Sequence, residues 1–168
     1  MNTGSTTLTR PPILLGYTYE PAEAYKARDE NRLLAIRLET NRSCNLRCRY
    51  CYAEGGERLQ DELSYEFLAD IIRQAHDLGA QSIVVIGGGE PTLHPRFRDL
   101  IAFTASLGMV PMVFTNMTTI TGGLAGFLYE NNASVMGKLD SLRPDVQDYF
   151  AGRKGAFEEM QRGLQNLM

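Results

Sequence analysis

Between residues 33 and 168 the sequence alternates four times between a short apolar run and a longer segment with apolar residues three and four apart. Leu33-Leu34-Ala35-Ile36-Arg37-Leu38, Ser82-Ile83-Val84-Val85-Ile86, Val110-Pro111-Met112-Val113-Phe114 and residues 134–139 have strand length and β-branched or aromatic character. Ser64 is an N-cap type, and Phe67, Leu68, Ile71, Ile72, Ala75 and Leu78 follow at helical spacing before Gly79. A second helix is predicted from Pro95 through Phe97, Leu100, Ile101, Thr104 and Leu107 to Gly108, a third over 124–130, and a fourth from Ala156 onward. Such alternation predicts an α/β fold with a parallel sheet and right-handed crossovers. Strands apolar throughout, rather than alternating, suit a barrel-like sheet with helices on one face and a filled interior on the other.

Residues 1–31 carry Pro11, Pro12 and Pro21 and no clear periodicity, and are predicted to be an irregular N-terminal extension before a core domain over 32–168. The net charge of −3 gives no ground for nucleic-acid binding. No apolar run approaches the roughly 20 residues that span a bilayer, so no membrane association is expected. The first residues lack a basic leader followed by an apolar stretch, and an odd cysteine count suits a reducing compartment, so a cytoplasmic protein is expected.

In parallel α/β folds the chemistry gathers at the carboxyl ends of the strands. The sequence places a polar cluster there four times. The first strand is followed by Cys44-Asn45-Leu46-Arg47-Cys48-Arg49-Tyr50-Cys51, the second by Gly87-Gly88-Gly89-Glu90-Pro91, the third by Thr115-Asn116, and the fourth by Lys138, Asp140 and Ser141.

Cys44, Cys48 and Cys51 are the only cysteines of the chain, at C-x3-C-x2-C spacing. A loop of that spacing can turn three sulfurs toward one centre. A structural zinc site takes four ligands and would need His76 or His94 to complete it. A [4Fe–4S] cluster ordinarily takes four thiolates, so three leave one iron free for a small molecule. Three unconnected free thiols are the plain alternative.

The chain resembles the radical S-adenosylmethionine (radical SAM) enzymes. The resemblance rests on Cys44, Cys48, Tyr50 and Cys51 after the first strand and on Gly88-Gly89-Glu90-Pro91 after the second, and covers about 33–168. It implies a [4Fe–4S] cluster on the three cysteines, S-adenosylmethionine chelated to the open iron, and reductive cleavage of that ligand to a 5′-deoxyadenosyl radical. A one-electron donor such as a flavodoxin or ferredoxin would serve it, and the substrate is not named by the sequence. The family pattern places Tyr50 near the adenine and Gly88, Gly89 and Glu90 near the methionine amino group, with Glu90 holding that edge or joining the amine contact. Asn116 contacts the ligand or caps a turn. Lys138 meets the ligand carboxylate and Asp140 or Ser141 the ribose hydroxyls, unless these are solvated charges.

Two departures from the family pattern stand out. Where many relatives have Thr-Asn-Gly, this chain has Met117, and a side chain there bears on whether the usual loop can form. Relatives commonly build a partial (β/α) barrel of six units, whereas about four are legible here. That predicts a core domain shortened at its C-terminal side, with the fourth strand's edge open to self-association or to a completing chain. The alternative is a non-catalytic iron–sulfur or zinc-binding module.

Overall fold

The computed structural model describes residues 14–168. Four strands, β1 (Ala35–Leu38), β2 (Ser82–Val85), β3 (Val110–Thr115) and β4 (Ser134–Gly137), form one sheet in the order β1-β2-β3-β4, all parallel. Among the described residues six α-helices accompany them: α1 (Pro21–Asp29), α2 (Tyr65–Asp77), α3 (Phe97–Ser106), α4 (Gly122–Glu130), α5 (Pro144–Ala151) and α6 (Ala156–Leu167). Parallel neighbours require a crossover between them, and α2, α3 and α4 supply the three crossovers of this sheet.

Register divides the side chains between two faces. Leu38 pairs with Val85, Val85 with Val113, and Val113 with Val135, so these four lie in one row across the sheet. That row packs against Leu68 and Ile72 of α2, Leu100 and Ile101 of α3, Leu124 and Leu128 of α4 and Met160 of α6. The alternate residues face the other way, and Ile86, Phe114 and Met136 line a cavity there. This open face is not uniformly apolar, because Arg37 of β1 lies on it beside the ring of Tyr17. Tyr17 also meets Phe114 edge to face at 5.2 Å.

The helix starts follow local chemistry. The Ser64 hydroxyl accepts from the Phe67 N–H and the Thr121 hydroxyl from the Leu124 N–H, each satisfying one orphan donor. The third crossover helix begins at Gly122, two residues ahead of the predicted 124. The second begins at Phe97, not at Pro95. A single 3₁₀ turn, Pro91–Leu93, comes first, and the Arg96 N–H is bound by the His94 ring.

Two helices depart from the sequence expectation. Residues 1–31 were expected to be irregular, yet α1 forms inside that stretch, while 1–13 lie outside the described residues. Of its nine residues only Ala27 is buried, so it carries no apolar stripe from which to infer it. Residues 14–19 are tied to the sheet's amino end, where the Ser82 hydroxyl donates to the Gly16 carbonyl at 2.6 Å and the Tyr19 hydroxyl to the Leu34 carbonyl at 3.0 Å. Helix α5 was not anticipated at all. Its buried positions are Gln147 and Ala151, so apolar periodicity is absent there too. Among the described residues no helix is long and apolar enough to cross a membrane.

Met117 adopts the left-handed conformation, φ 64°, a region that favours glycine. Met117 is 1% exposed; its thioether packs where Gly137 of β4 leaves room and its carbonyl where Gly163 of α6 does, each too close for a Cβ. Burial offsets a backbone cost of about 1–2 kcal/mol. We expect Met117→Ala to lose about 2–5 kcal/mol of stability through the cavity it opens. Met117→Gly should lose roughly 1 kcal/mol less, because glycine relieves the φ strain. Chemical denaturation midpoints measure both; a Met117→Gly protein as stable as the parent would show that burial of the side chain does no more than offset the φ strain.

Candidate functional site

The loop between β1 and α2 carries the three cysteines and is fastened on its inner side by the segment after β2. The Gly89 N–H donates to the Asn41 carbonyl and the Glu90 N–H to the Ser43 carbonyl, both at 2.7 Å. The Asn41 side-chain amide donates to the carbonyls of Ser43 and Glu90 at 3.0 and 3.2 Å. A Cβ at residue 89 would lie 2.0 Å from the Ser43 carbonyl oxygen, so only glycine permits this approach. The glycines are thus needed for loop-to-loop contact, apart from any ligand.

Glu90 is 2% exposed, and its carboxylate is turned toward β3. One oxygen accepts from the Thr115 hydroxyl at 2.7 Å, the Thr92 hydroxyl at 2.7 Å and the Thr92 N–H at 3.2 Å; the other accepts from the Asn116 N–H at 2.7 Å. Burial pushes the carboxyl above the ordinary range, and these donors pull it back. With four donors bound, the side chain secures the edge and is not turned out to meet an amine.

Asn116 extends the same web. Its amide donates to the Asn45 side-chain oxygen at 3.0 Å, and its own oxygen accepts from the N–H and hydroxyl of Thr118. The Asn45 amide donates to the Thr118 hydroxyl at 2.8 Å. Asn116 therefore caps a turn and joins the end of β3 to the cysteine loop.

A cavity of about 510 Å³ opens at this carboxyl edge. Cys44, Cys48, Tyr50, Gly89, Glu90, Asn116 and Lys138 line it over an apolar floor that includes Leu46, Ile86, Phe114 and Met136. Gly88, Asp140 and Ser141 are not among its lining residues, and Cys51 is exposed on the outer side of the loop beside Arg47 and Arg49. The floor residues went unremarked in the sequence as site residues. For Ile86, Phe114 and Met136 the signal was parity, since each stands one residue out of phase with the buried row, whereas Leu46 belongs to the cysteine loop and carries no such signal.

Lys138, Asp140 and Tyr50 form one cluster. The Lys138 ammonium lies 2.6 Å from Asp140 and 4.9 Å from the Tyr50 ring centroid, and the Tyr50 hydroxyl donates to Asp140 at 2.5 Å. Burial alone would raise the Asp140 carboxyl, but hydrogen bonds from Lys138 and Tyr50 outweigh it and hold the group below its usual value. Burial and the Asp140 carboxylate push the Tyr50 hydroxyl far up, so it remains a protonated donor. Ser141 serves the loop itself: its hydroxyl accepts from the Arg143 N–H at 3.1 Å, and its own N–H donates to Gln147.

The zinc expectation fails on both histidines. His76 stands on the exposed side of α2 against Asp77, and His94 Nδ1 accepts from the Arg96 N–H. Among the described residues no three His, Cys, Asp or Glu side chains converge closely enough for a single metal ion. The sulfurs on a four-iron cluster each bind a different iron, so they stand farther apart than ligands of one ion. The donor set suits such a cluster. Burial raises the Cys44 and Cys48 thiols, and the neighbouring cysteines raise them further, a mutual repulsion that bound iron would offset.

Comparison with known proteins gives the family. The model of the Radical SAM superfamily matches residues 38–168. The chain is 33% identical over 164 residues to the Fe-coproporphyrin III synthase of Methanosarcina barkeri, covering 89% of this chain and 41% of that protein. It is 33% identical over 135 residues to the mycofactocin maturase MftC of Mycobacterium tuberculosis, covering 80% and 34%. Among solved structures it superposes on anSMEcpe with bound AdoMet at a TM-score of 0.66 and 21% identity, over 80% of this chain and 40% of that one. SuiB of Streptococcus suis bound to precursor peptide SuiA gives 0.65 and 20%, over 82% and 32%. The chain spans well under half the length of these relatives. With the family model matched from the end of β1 onward, the chain belongs to the radical SAM superfamily, enzymes that work with a [4Fe–4S] cluster and S-adenosylmethionine.

Proposed function

We propose that Cys44, Cys48 and Cys51 of this chain ligate a [4Fe–4S] cluster and that S-adenosylmethionine binds beside it in the carboxyl-edge cavity. The observation that carries this reading is that Cys44 and Cys48 line the same cavity as Gly87, Gly89 and Glu90. A reduced cluster held by Cys44, Cys48 and Cys51 would supply the one electron needed for reductive cleavage of S-adenosylmethionine to methionine and a 5′-deoxyadenosyl radical.

The chain's own residues position the ligand and keep it dry. Lys138, at the cavity wall, supplies a cation for a carboxylate, and the Tyr50 ring is held by Asp140 for stacking against a base. Asp140 and Ser141 act one step back from the ligand, because their side chains are already bound within the protein. The floor of Leu46, Ile86, Phe114 and Met136 excludes water from the reactive centre. A one-electron carrier, such as a flavodoxin or ferredoxin, would approach the outer side of the loop, where Cys51 is exposed among Arg47, Arg49, Glu54 and Glu57. Three uncrosslinked cysteines suit a reducing, cytoplasmic setting. The edge of β4, last in the described sheet, is the place for a second copy or a completing chain, which light scattering would register as an oligomer. Names among the relatives range from a heme synthase to a GTP 3′,8-cyclase, so substrate identity follows features that differ among them.

Anaerobic reconstitution should give a brown protein with about four irons per chain and a paramagnetic signal on reduction that changes when S-adenosylmethionine is added. Replacing all three cysteines with alanine should abolish colour and signal. Zinc uptake in place of iron, or a signal that ignores the ligand, would overturn the reading.

Glu90→Gln should weaken fold and site together. The new amide would face the Asn116 N–H donor to donor, a cost of about 1–3 kcal/mol in denaturation. Because β3 and the cysteine loop meet through Asn116, S-adenosylmethionine should bind roughly tenfold more weakly, about 1.4 kcal/mol. Parental stability and affinity in this variant would show that the carboxylate is dispensable.

A further inference from the structure

The outer side of the cysteine loop rests on the C-terminal end of α5. The last carbonyls of a helix have no partner within it. Here the Arg47 N–H donates to the Ala151 carbonyl and the Arg49 N–H to the Phe150 carbonyl, both at 3.0 Å. The Arg49 Nε–H donates to the Tyr149 carbonyl at 3.1 Å, and its guanidinium lies 4.1 Å from the Tyr149 ring centroid. Gly152 follows with φ 65°, and a Cβ there would sit 2.0 Å from the Arg47 carbonyl oxygen. A second link runs from the same helix. The side-chain oxygen of the fully buried Gln147 accepts from the N–H groups of Asp140 and Ser141, and Asp140 holds the Tyr50 hydroxyl.

The consequence concerns where the loop's amides point. Those of Arg47 and Arg49 are spent on α5, that of Cys44 on the Gly56 carbonyl and that of Cys51 on the Cys48 carbonyl, whereas the Leu46 N–H does meet a sulfur, that of Cys44. An amide that donates to a cluster sulfur stabilises the more negative, reduced state and raises the potential. An amide held elsewhere does not. The negative end of the helix dipole, directed at the loop, also opposes an added electron.

We propose that α5 keeps the reduction potential of a cluster on Cys44, Cys48 and Cys51 low, by holding the Arg47 and Arg49 amides on its own C-terminal carbonyls. Arg49 and Gly152 are positioning residues in this account, which rests on the cluster reading above. Loosening α5 turns these amides toward sulfur or water and makes the cluster easier to reduce, hence a weaker reductant.

Gly152→Ala tests this against Gly155→Ala. Gly155 lies in the same turn with φ 80°, but a Cβ there meets nothing within 4 Å. Both variants carry similar backbone strain, and only the first pushes on the cysteine loop. Arg49→Lys, at an exposed position, keeps the charge and loses the planar fork, so it remains informative if Gly152→Ala fails to fold. Amide hydrogen exchange in the cluster-free proteins should show Arg47 and Arg49 protected in the parent and in Gly155→Ala. They should exchange at least tenfold faster in Gly152→Ala and several-fold faster in Arg49→Lys. In the reconstituted proteins, titration against a redox buffer should find the ratio of reduced to oxidised cluster about tenfold higher in Gly152→Ala at the same poise, ~59 mV for one electron. Arg49→Lys should shift it less, in the same direction, and Gly155→Ala should leave it unchanged. Parental potentials in both Gly152→Ala and Arg49→Lys would overturn the proposal while leaving the cluster reading intact; a parent protein that takes up no cluster would overturn both.

Discussion

The buried Glu90 carboxylate is the constraint on which the rest of the edge depends. A charge this deep is tolerated only when its lone pairs are met, and Thr92, Thr115 and Asn116 meet them. The same residue's backbone N–H binds the Ser43 carbonyl, so one residue joins the end of β2 to the end of β3 and to the cysteine loop. Removing one partner would strand a buried charge, which costs more than the pair itself contributes. That asymmetry makes the arrangement rigid.

Rigidity there fixes the position of the cysteines. The loop from β1 to α2 has little regular structure of its own, and its shape comes from three outside supports. The segment after β2 holds it through Asn41 and Ser43, β3 holds it through the Asn116–Asn45 bond, and α5 holds it through Arg47 and Arg49. Each support comes from a different βα unit. The site therefore depends on the whole sheet register rather than on the cysteine spacing alone.

That distinction explains what could be read from the sequence. Strand positions, the crossover helices and the gathering of polar clusters on one edge were legible, because each rests on local pattern: β-branched runs, Ser64 beside an apolar stripe, and turn residues after each strand. The spacing put the three thiols on one loop, but not which of them would line the cavity. Helix α5 was not, because its buried face is Gln147 and Ala151 and its importance lies in backbone carbonyls that no side-chain pattern reports. The Asn41 and Asn45 contacts were equally hidden, since they form only when residues far apart in sequence meet. Met117 showed the reverse case. A residue unsuited to its backbone conformation is held there by the room that Gly137 and Gly163 leave around it.

The polar residues on this edge divide by what already binds them. The side chains of Glu90, Asn116, Asp140 and Ser141 look from the sequence like ligand contacts, and each is engaged by the protein itself. What faces the cavity less encumbered is the pair of half-buried thiols, the Gly87 and Gly89 backbone and an apolar floor, while the Lys138 ammonium at its wall is shared with Asp140. Such a division is physically economical. Polar groups with partners in place need not be reoriented when a ligand enters, so less binding energy is lost to ordering them. The few open groups then set the ligand's orientation, and the engaged ones hold those open groups still.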